Sequence, residues 1–218
     1  MTHSEENYLK AIFHIGKGGV NEISTNAIAE QMDTKPSSVT DMIKKLSEKK
    51  LVHYKKYKGV SLTVSGRSLA LSIVRKHRLW EVFLVEKLDF SWDEVHMVAE
   101  QLEHIKSEKL IDRLDKLLGF PKYDPHGDPI PDKDGNFKVM DKKLLNELAV
   151  NDKGICVGVK DSSSQFLKFL DKNNIALGHL IEVTDKEDFD GSFQLKINGN
   201  SFNVSSQIAS NLFVQLTN

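Results

Sequence analysis

The sequence predicts a mainly α protein with a smaller β component at its C-terminal end. Three observations carry that prediction. Apolar residues recur at helical spacing through most of residues 1–118, interrupted by one short β-type stretch. The run "GFPKYDPHGDPIPDKDGN" then breaks the pattern with Pro, Gly and Asp. Beyond it lie short runs rich in β-branched and aromatic residues. A chain of 218 residues, 39% hydrophobic and 28% charged, is long enough to build more than one small core.

"SEENYLKAIFHI" places Tyr8, Leu9, Ile12, Phe13 and Ile15 on one helical face behind a possible Ser4 cap. "STNAIAEQMD" predicts a short helix capped by Ser24 or Thr25, with Ala27, Ile28 and Met32 inward. After a brief interruption, Pro36 and Ser37 suit a helix start, and Val39, Met42, Ile43 and Leu46 give its buried stripe. "LVHYKKYKGVSLTVSG" reads as two β runs joined around Lys58-Gly59. Helix, helix, helix and hairpin in this order make a winged helix-turn-helix. Its third helix would enter a DNA major groove, and its hairpin would lie along the backbone. From Lys35 to Lys58, eight lysines stand against Asp41 and Glu48. A solvated helix face could carry such a charge excess, but its confinement to these two elements favours DNA.

A long helix is expected from about Ser65 to Leu88, carrying Leu69, Ile73, Val74, Trp80, Phe83 and Leu84. Ser91 could cap a helix over Trp92–Ile105, and another runs from Ser107 to Leu118, ending at Gly119 and Pro121. "DKDG" in the following loop lacks the spacing and terminal Glu of a calcium loop. After Asp141 a short helix leads into "GICVGVK", then the helical "SSQFLKFLDKNN", then β-type "LIEVTD", "SFQLKING" and "LFVQLT". This matches a small SH3-like barrel.

The whole-chain net charge of −1 points to no partner. A single cysteine, Cys156, rules out a disulfide framework and a thiolate-rich metal site within one chain, and fits a cytoplasmic setting. The N-terminus is too polar for a signal peptide, and no apolar run reaches membrane-spanning length. HExxH, GxSxG, Walker A and strand-linked GxGxxG motifs are absent, so a non-enzymatic role is expected.

"EVHMVAEQLEHI" and "VRKHRLWEVF" carry the chemistry. His77 and Glu81 are four residues apart, as are His96 and Glu100, and Glu100 and His104; Glu103 falls between the last two. Three imidazoles and three carboxylates on adjacent helices supply nitrogen and oxygen ligands for one or two ions. That set suits Mn²⁺, Fe²⁺, Co²⁺ or Zn²⁺ and disfavours copper(I). Glu and His on helices also form plain i, i+4 pairs, in which case a winged-helix regulator would sense an organic ligand and this cluster would be structural. A metalloenzyme with a nucleic-acid-binding arm is a further alternative. Val95, Val98, Leu102 and Ile105 must face a core beside the same stripe, so the ionisable groups need a compensating charge.

"ENYLKAIFHI", "PSSVTDMIKKL", "LTVSGRSLA", "RKHRLWEVFLV", "LEH" and "HGDPIP" occur in an order that resembles the metal-dependent repressors, relatives of the diphtheria toxin repressor and the manganese transport regulator. The resemblance covers nearly the whole chain. It implies a homodimer that binds palindromic double-stranded operator DNA when loaded with Mn²⁺ or Fe²⁺, repressing metal uptake. It further implies a winged helix-turn-helix domain at 1–70, a helical metal-binding and dimerisation domain at 71–140, and an SH3-like domain at 147–218. Carried over by position, a regulatory site uses Asn7, Glu100, Glu103 and His104. An ancillary site uses His77, Glu81 and His96, completed by Gln165 and by Asp161, because the expected carboxylate falls on Ser162.

In that family position 7 is usually Met in iron sensors and Asp in manganese sensors, and position 100 is Cys in the iron branch. Asn7 and Glu100 both offer hard oxygens, which tilts the expectation toward Mn²⁺. Zn²⁺ and Co²⁺ should also bind in vitro. The manganese variant with two adjacent ions uses a Glu where this chain has Lys10. Ser37, Ser38, Thr40, Asp41 and Lys44 open the recognition helix and are candidates for base or nearby phosphate contacts. Lys55, Lys56 and Lys58 are candidates for phosphate contacts from the wing.

Overall fold

The structure is a computed structural model that describes residues 1–55 and 58–217. Its backbone contacts divide the chain into two units. The first comprises Met1–Trp80, Ala99–Lys116 and Ile130–Phe137; the second comprises Glu81–Val98, Leu117–Pro129 and Lys138–Asn218.

In the first unit, α1 (His3–Ile15) starts two residues earlier than a Ser4 cap would allow. Thr2 is the N-cap. Its hydroxyl accepts from Glu5 N while Glu5 Oε2 accepts from Thr2 N, a reciprocal capping box that Ser4 has no acid in place to form. Helix α2 (Thr25–Gln31) is capped by Ser24. Helix α3 (Pro36–Glu48) begins on the expected proline, and its Val39, Ile43 and Leu46 are fully buried. Strands β1 (Val52–Lys55) and β2 (Gly59–Leu62) pair antiparallel, Val52 opposite Leu62 and Lys55 opposite Gly59. Leu9, Ile12, Ile28, Val39, Ile43, Leu46 and Val60 form one core with Tyr8, Phe13 and Leu71. Truncating one of these, Ile43→Ala for example, should cost roughly 2–5 kcal/mol.

Helix α4 (Val64–Leu88) follows directly on the wing. Gly66 fits its first turn against the hairpin, since a Cβ there would sit 1.9 Å from Leu51 O. Helix α5 spans Val95–Leu102 and not Trp92–Ile105. Ser91 Oγ donates to Asp93 Oδ1 and residues 92–94 form a turn, so the helix starts late. Glu103 and His104 lie in the turn that ends it, outside the helix on which the sequence places them. Helix α6 (Glu108–Leu117) stops where Gly119 and Phe120 take positive φ.

The second unit holds a six-stranded antiparallel sheet in the order β3-β8-β4-β5-β6-β7. Its strands are β3 (Lys143–Leu144), β4 (Lys153–Val159), β5 (Leu180–Lys186), β6 (Phe193–Ile197), β7 (Asn200–Val204) and β8 (Leu212–Leu216). A 3-10 turn at Leu145–Glu147 takes the place of the expected short helix. Helix α7 (Ser164–Lys172) packs Leu167 and Leu170 against the sheet, and α8 (Ser206–Ala209) precedes the last strand. Strand β7 and α8 were not legible, because "NSFNVSSQIA" is too polar and short for either period to register.

Candidate metal centre

Of the clusters of ligand-type side chains among the described residues, two lie each inside one unit. In the first, His77, Glu100 and Glu103 bring their ligand atoms within 4.8 Å of one another. His77 comes from α4, Glu100 from α5 and Glu103 from the turn after it. Glu103 is fully buried. Its Oε2 accepts from Lys10 Nζ at 2.7 Å and lies 2.6 Å from His77 Nδ1; Lys10 also reaches Glu100 Oε1 at 2.5 Å. Burial pushes the Glu103 carboxyl up, but the His77 contact and the Lys10 charge outweigh it and hold it below its ordinary value.

Helix α1 supplies the other wall. Lys10 is three residues from Asn7 and four from Glu6, so all three border one face. Glu6 Oε2 lies 2.6 Å from His104 Nδ1, and His104 stacks on His3 with ring centroids 4.3 Å apart. That places the Nδ1 of His104 against Glu6, while the Nδ1 of His77 lies against Glu103. On α1 and in the cluster, two side-chain oxygens are buried with no hydrogen-bond partner: Asn7 Oδ1 and Glu103 Oε1. An orphaned buried acceptor costs about 1–3 kcal/mol, so two of them on facing elements call for a cation. The hard, oxygen-rich donor set with one imidazole fits Mn²⁺ or Fe²⁺.

The second cluster is Glu81, Asp124 and His126, all buried, again with ligand atoms within 4.8 Å. His126 Nε2 donates to Trp92 O at 2.8 Å, which turns Nδ1 toward Glu81 Oε2 at 3.7 Å. Burial lowers the His126 pKa, yet the Glu81 and Asp124 carboxylates overcome this and raise it above the ordinary value. Asp124 accepts from the backbone N–H groups of His126 and Asp128, fixing the loop. Gly127 lets that loop lie on β4, because a Cβ would meet Val157 O at 2.0 Å. His96, mostly exposed, has its Nδ1 3.6 Å from Glu81 Oε1.

Asp161 is half-buried and accepts from Ser163 N, and Gln165 is exposed in the first turn of α7. Asp161 joins no three-residue cluster among the described residues. Asp124 and His126 escaped the sequence reading because a loop ligand has no period to betray it. The only signal was "DPHGD" itself, two acids flanking a histidine in a turn-rich run.

Of the residues expected to contact DNA, Ser37, Ser38, Asp41 and Lys44 are exposed on α3, and Thr40 donates its hydroxyl to Pro36 O. Lys44 lies 3.6 Å from Asp41. Lys55 and Lys58 are exposed on the wing; Lys56 lies outside the described residues. Behind this face, buried Glu5 Oε1 accepts from Lys45 at 2.9 Å and Lys49 at 2.7 Å. Hydrogen bonds from Lys49, then Lys45, hold its carboxyl down at about 2. Helix α1 is thereby tied to the recognition helix at one end of its sequence and borders the metal cluster a turn later.

Comparison with known proteins gives the family and its domains. Residues 1–60 match the iron-dependent repressor N-terminal DNA-binding domain. Residues 63–132 match the iron-dependent repressor metal-binding and dimerisation domain, and residues 143–216 match the FeoA domain. A solved manganese-dependent transcriptional repressor in complex with manganese is 36% identical, with a TM-score of 0.88 over 98% of this chain and 100% of its own. The iron-dependent repressor IdeR of Mycobacterium tuberculosis is 34% identical over 131 residues, 60% of this chain and 56% of that protein's length. The diphtheria toxin repressor of Corynebacterium diphtheriae is 26% identical over 99% of this chain and 98% of its own. The chain belongs to the family of metal-dependent transcriptional repressors, with domains for DNA binding, for metal binding and dimerisation, and a C-terminal FeoA-type SH3-like domain.

Proposed function

We propose that the protein is a homodimeric repressor whose binding to palindromic operator DNA is switched on by Mn²⁺, with Fe²⁺ as the alternative activator. The observation that carries this reading is the pair of buried, partnerless oxygens, Glu103 Oε1 within the His77–Glu100–Glu103 cluster and Asn7 Oδ1 one helical turn from Lys10, which contacts that cluster. Asn7, His77, Glu100 and Glu103 would hold the activating ion. Glu81, Asp124 and His126 would hold a second one, with His96 and Asp161 as outer candidates. His104 then serves to anchor Glu6, and with it α1, beside the first site. A bound divalent cation supplies the positive charge that these oxygens lack.

The chain's own residues turn that into a DNA response. Helix α1 carries Asn7 for the metal cluster and Glu5 for Lys45 of α3 and Lys49 at its C-cap, so fixing α1 restricts the recognition helix. In a dimer, two such helices must sit about 34 Å apart to read successive half-sites. The full-length match to a repressor named as manganese-dependent, together with hard oxygen at positions 7 and 100, favours Mn²⁺. The three family matches support a division near 1–70, 71–140 and 147–218, and a cytoplasmic location follows from a DNA target. Among the described residues no helix is long and apolar enough to cross a membrane. A pocket lined by Ser72, Arg75, Ile111 and Gly135 is about 90 Å³, well below the roughly 300–1,000 Å³ of small-molecule sites.

The experiment is fluorescence anisotropy on metal-stripped protein with operator and random duplexes at fixed salt, titrating Mn²⁺, Fe²⁺ and Zn²⁺ with and without EDTA. Sequence-specific binding should appear with metal and vanish with EDTA; indifference to EDTA would move the organic-ligand reading ahead. In the same assay Lys55→Ala should weaken all sequences alike and lower the salt slope by about one.

A further inference from the structure

Lys10 lies on both carboxylates of the first cluster. Its ammonium contacts Glu100 Oε1 and Glu103 Oε2, and its side chain is 12% exposed while that of Glu103 is fully buried. A carboxylate with no access to water needs a positive partner, and here the chain provides one itself. The same two carboxylates are the only acids of the cluster that would hold the activating ion. A dication seated on them would meet the ammonium at ion-pair distance, a like-charge contact in surroundings that screen it weakly. Lys10 has a way out, because a four-carbon stem on a helix surface can carry the ammonium to water at little conformational cost.

We propose that Lys10 is a tethered counter-ion that competes with the divalent cation for Glu100 and Glu103, so that loading expels it and its presence sets the metal concentration at which the protein responds. This inference rests on the metal-dependent reading above. Lys10 acts on the metal through the two carboxylates and is a specificity-setting residue, not a ligand. By balancing the buried charge it also keeps the unloaded protein folded, and so narrows the stabilisation that any ion can add.

The test is Mn²⁺ binding to the full-length protein, followed by electron paramagnetic resonance of the free ion, for the wild type, Lys10→Met, Lys10→Arg and Glu103→Gln. Lys10→Met should bind Mn²⁺ at least roughly tenfold more tightly than wild type, and Lys10→Arg should not, since it retains the charge. With EDTA, Lys10→Met should melt lower than wild type, and its melting temperature should rise further on loading. Normal wild-type binding with unchanged or weaker binding by Lys10→Met would overturn the proposal alone. Failure of the wild type to bind any ion would remove the metal reading and the proposal with it. Should Lys10→Met not fold, ¹⁵N-lysine spectra of the wild type decide: the hydrogen-bonded Lys10 ammonium signal should disappear on loading with diamagnetic Zn²⁺. Its persistence in the loaded protein would overturn the proposal.

Discussion

In the first unit Glu103 meets Lys10 at 2.7 Å and His77 at 2.6 Å; in the second, Glu81 meets His96 at 3.6 Å and His126 at 3.7 Å. Both carboxylates are buried. They differ in what balances them. Glu103 lies against the Lys10 ammonium and the His77 imidazole, whereas Glu81 lies near the imidazoles of His96 and His126. They differ also in how they are assembled. The Glu103 cluster joins α1, α4, α5 and a turn, while the second cluster joins the end of α4 to one short loop pinned by Asp124 and Gly127. A site that ties several elements together can report on their arrangement. A site that ties a loop to one helix can stabilise that loop and little else. This contrast assigns switching to the first cluster and support to the second.

The sharpest way to break the comparison is to neutralise each carboxylate without changing its shape. Glu103→Gln should abolish metal-stimulated operator binding at every Mn²⁺ concentration that activates the wild type, while size-exclusion chromatography still reports a folded dimer. Glu81→Gln should leave the response in place and lower the number of ions bound per chain by one, as counted by equilibrium dialysis. If the two variants behaved alike, the division of labour would be wrong. A smaller effect is expected from Asn7→Asp, which adds a charge to the orphaned oxygen. It should tighten Mn²⁺ binding by roughly tenfold, about 1.4 kcal/mol, with a smaller gain for Zn²⁺. Asp124→Asn should change activation least, lowering only the second ion's affinity.

How much of this could be read beforehand follows from how each part is built. The winged helix-turn-helix was legible because its helices carry clear stripes, such as Val39, Ile43 and Leu46, and its wing a turn signal at Lys58-Gly59. His77, Glu81, His96, Glu100, Glu103 and His104 stood out because helical spacing groups them. Spacing cannot say which group faces which partner across helices. That is why the contact of His77 Nδ1 with Glu103 and that of His104 Nδ1 with Glu6 do not follow from spacing. The partners Glu6 and Lys10 are ordinary surface-type residues in "SEENYLK", and only tertiary contact with residues some 90 positions away gives them a role. The sequence pattern extends α5 too far because Glu103 and His104 continue its spacing into the turn that follows Leu102.

The smallest effect is also the one that separates the clusters by sign. Glu103 titrates below its ordinary value, so its contribution to stability is present above the unfolded pKa near 4.5 and is lost as pH falls through the lowered one. His126 titrates above its ordinary value, so its contribution is full below an unfolded pKa near 6.5 and is lost as pH rises through the raised one. In EDTA, therefore, the loop around His126 should loosen on the alkaline side of neutrality, while the Glu103 cluster should loosen only in acid. Histidine ring resonances followed from pH 4 to 9 would show it. His126 should titrate above free histidine, and amide exchange at Gly127 and Asp128 should quicken with it after correction for the intrinsic pH dependence. Replacing Glu81 by Gln should bring the His126 midpoint down, because its carboxylate is the largest influence holding that midpoint up. A His126 midpoint unmoved by Glu81→Gln would mean that Asp124 alone balances the imidazole, and the second cluster would then be a loop clasp with no claim on a metal.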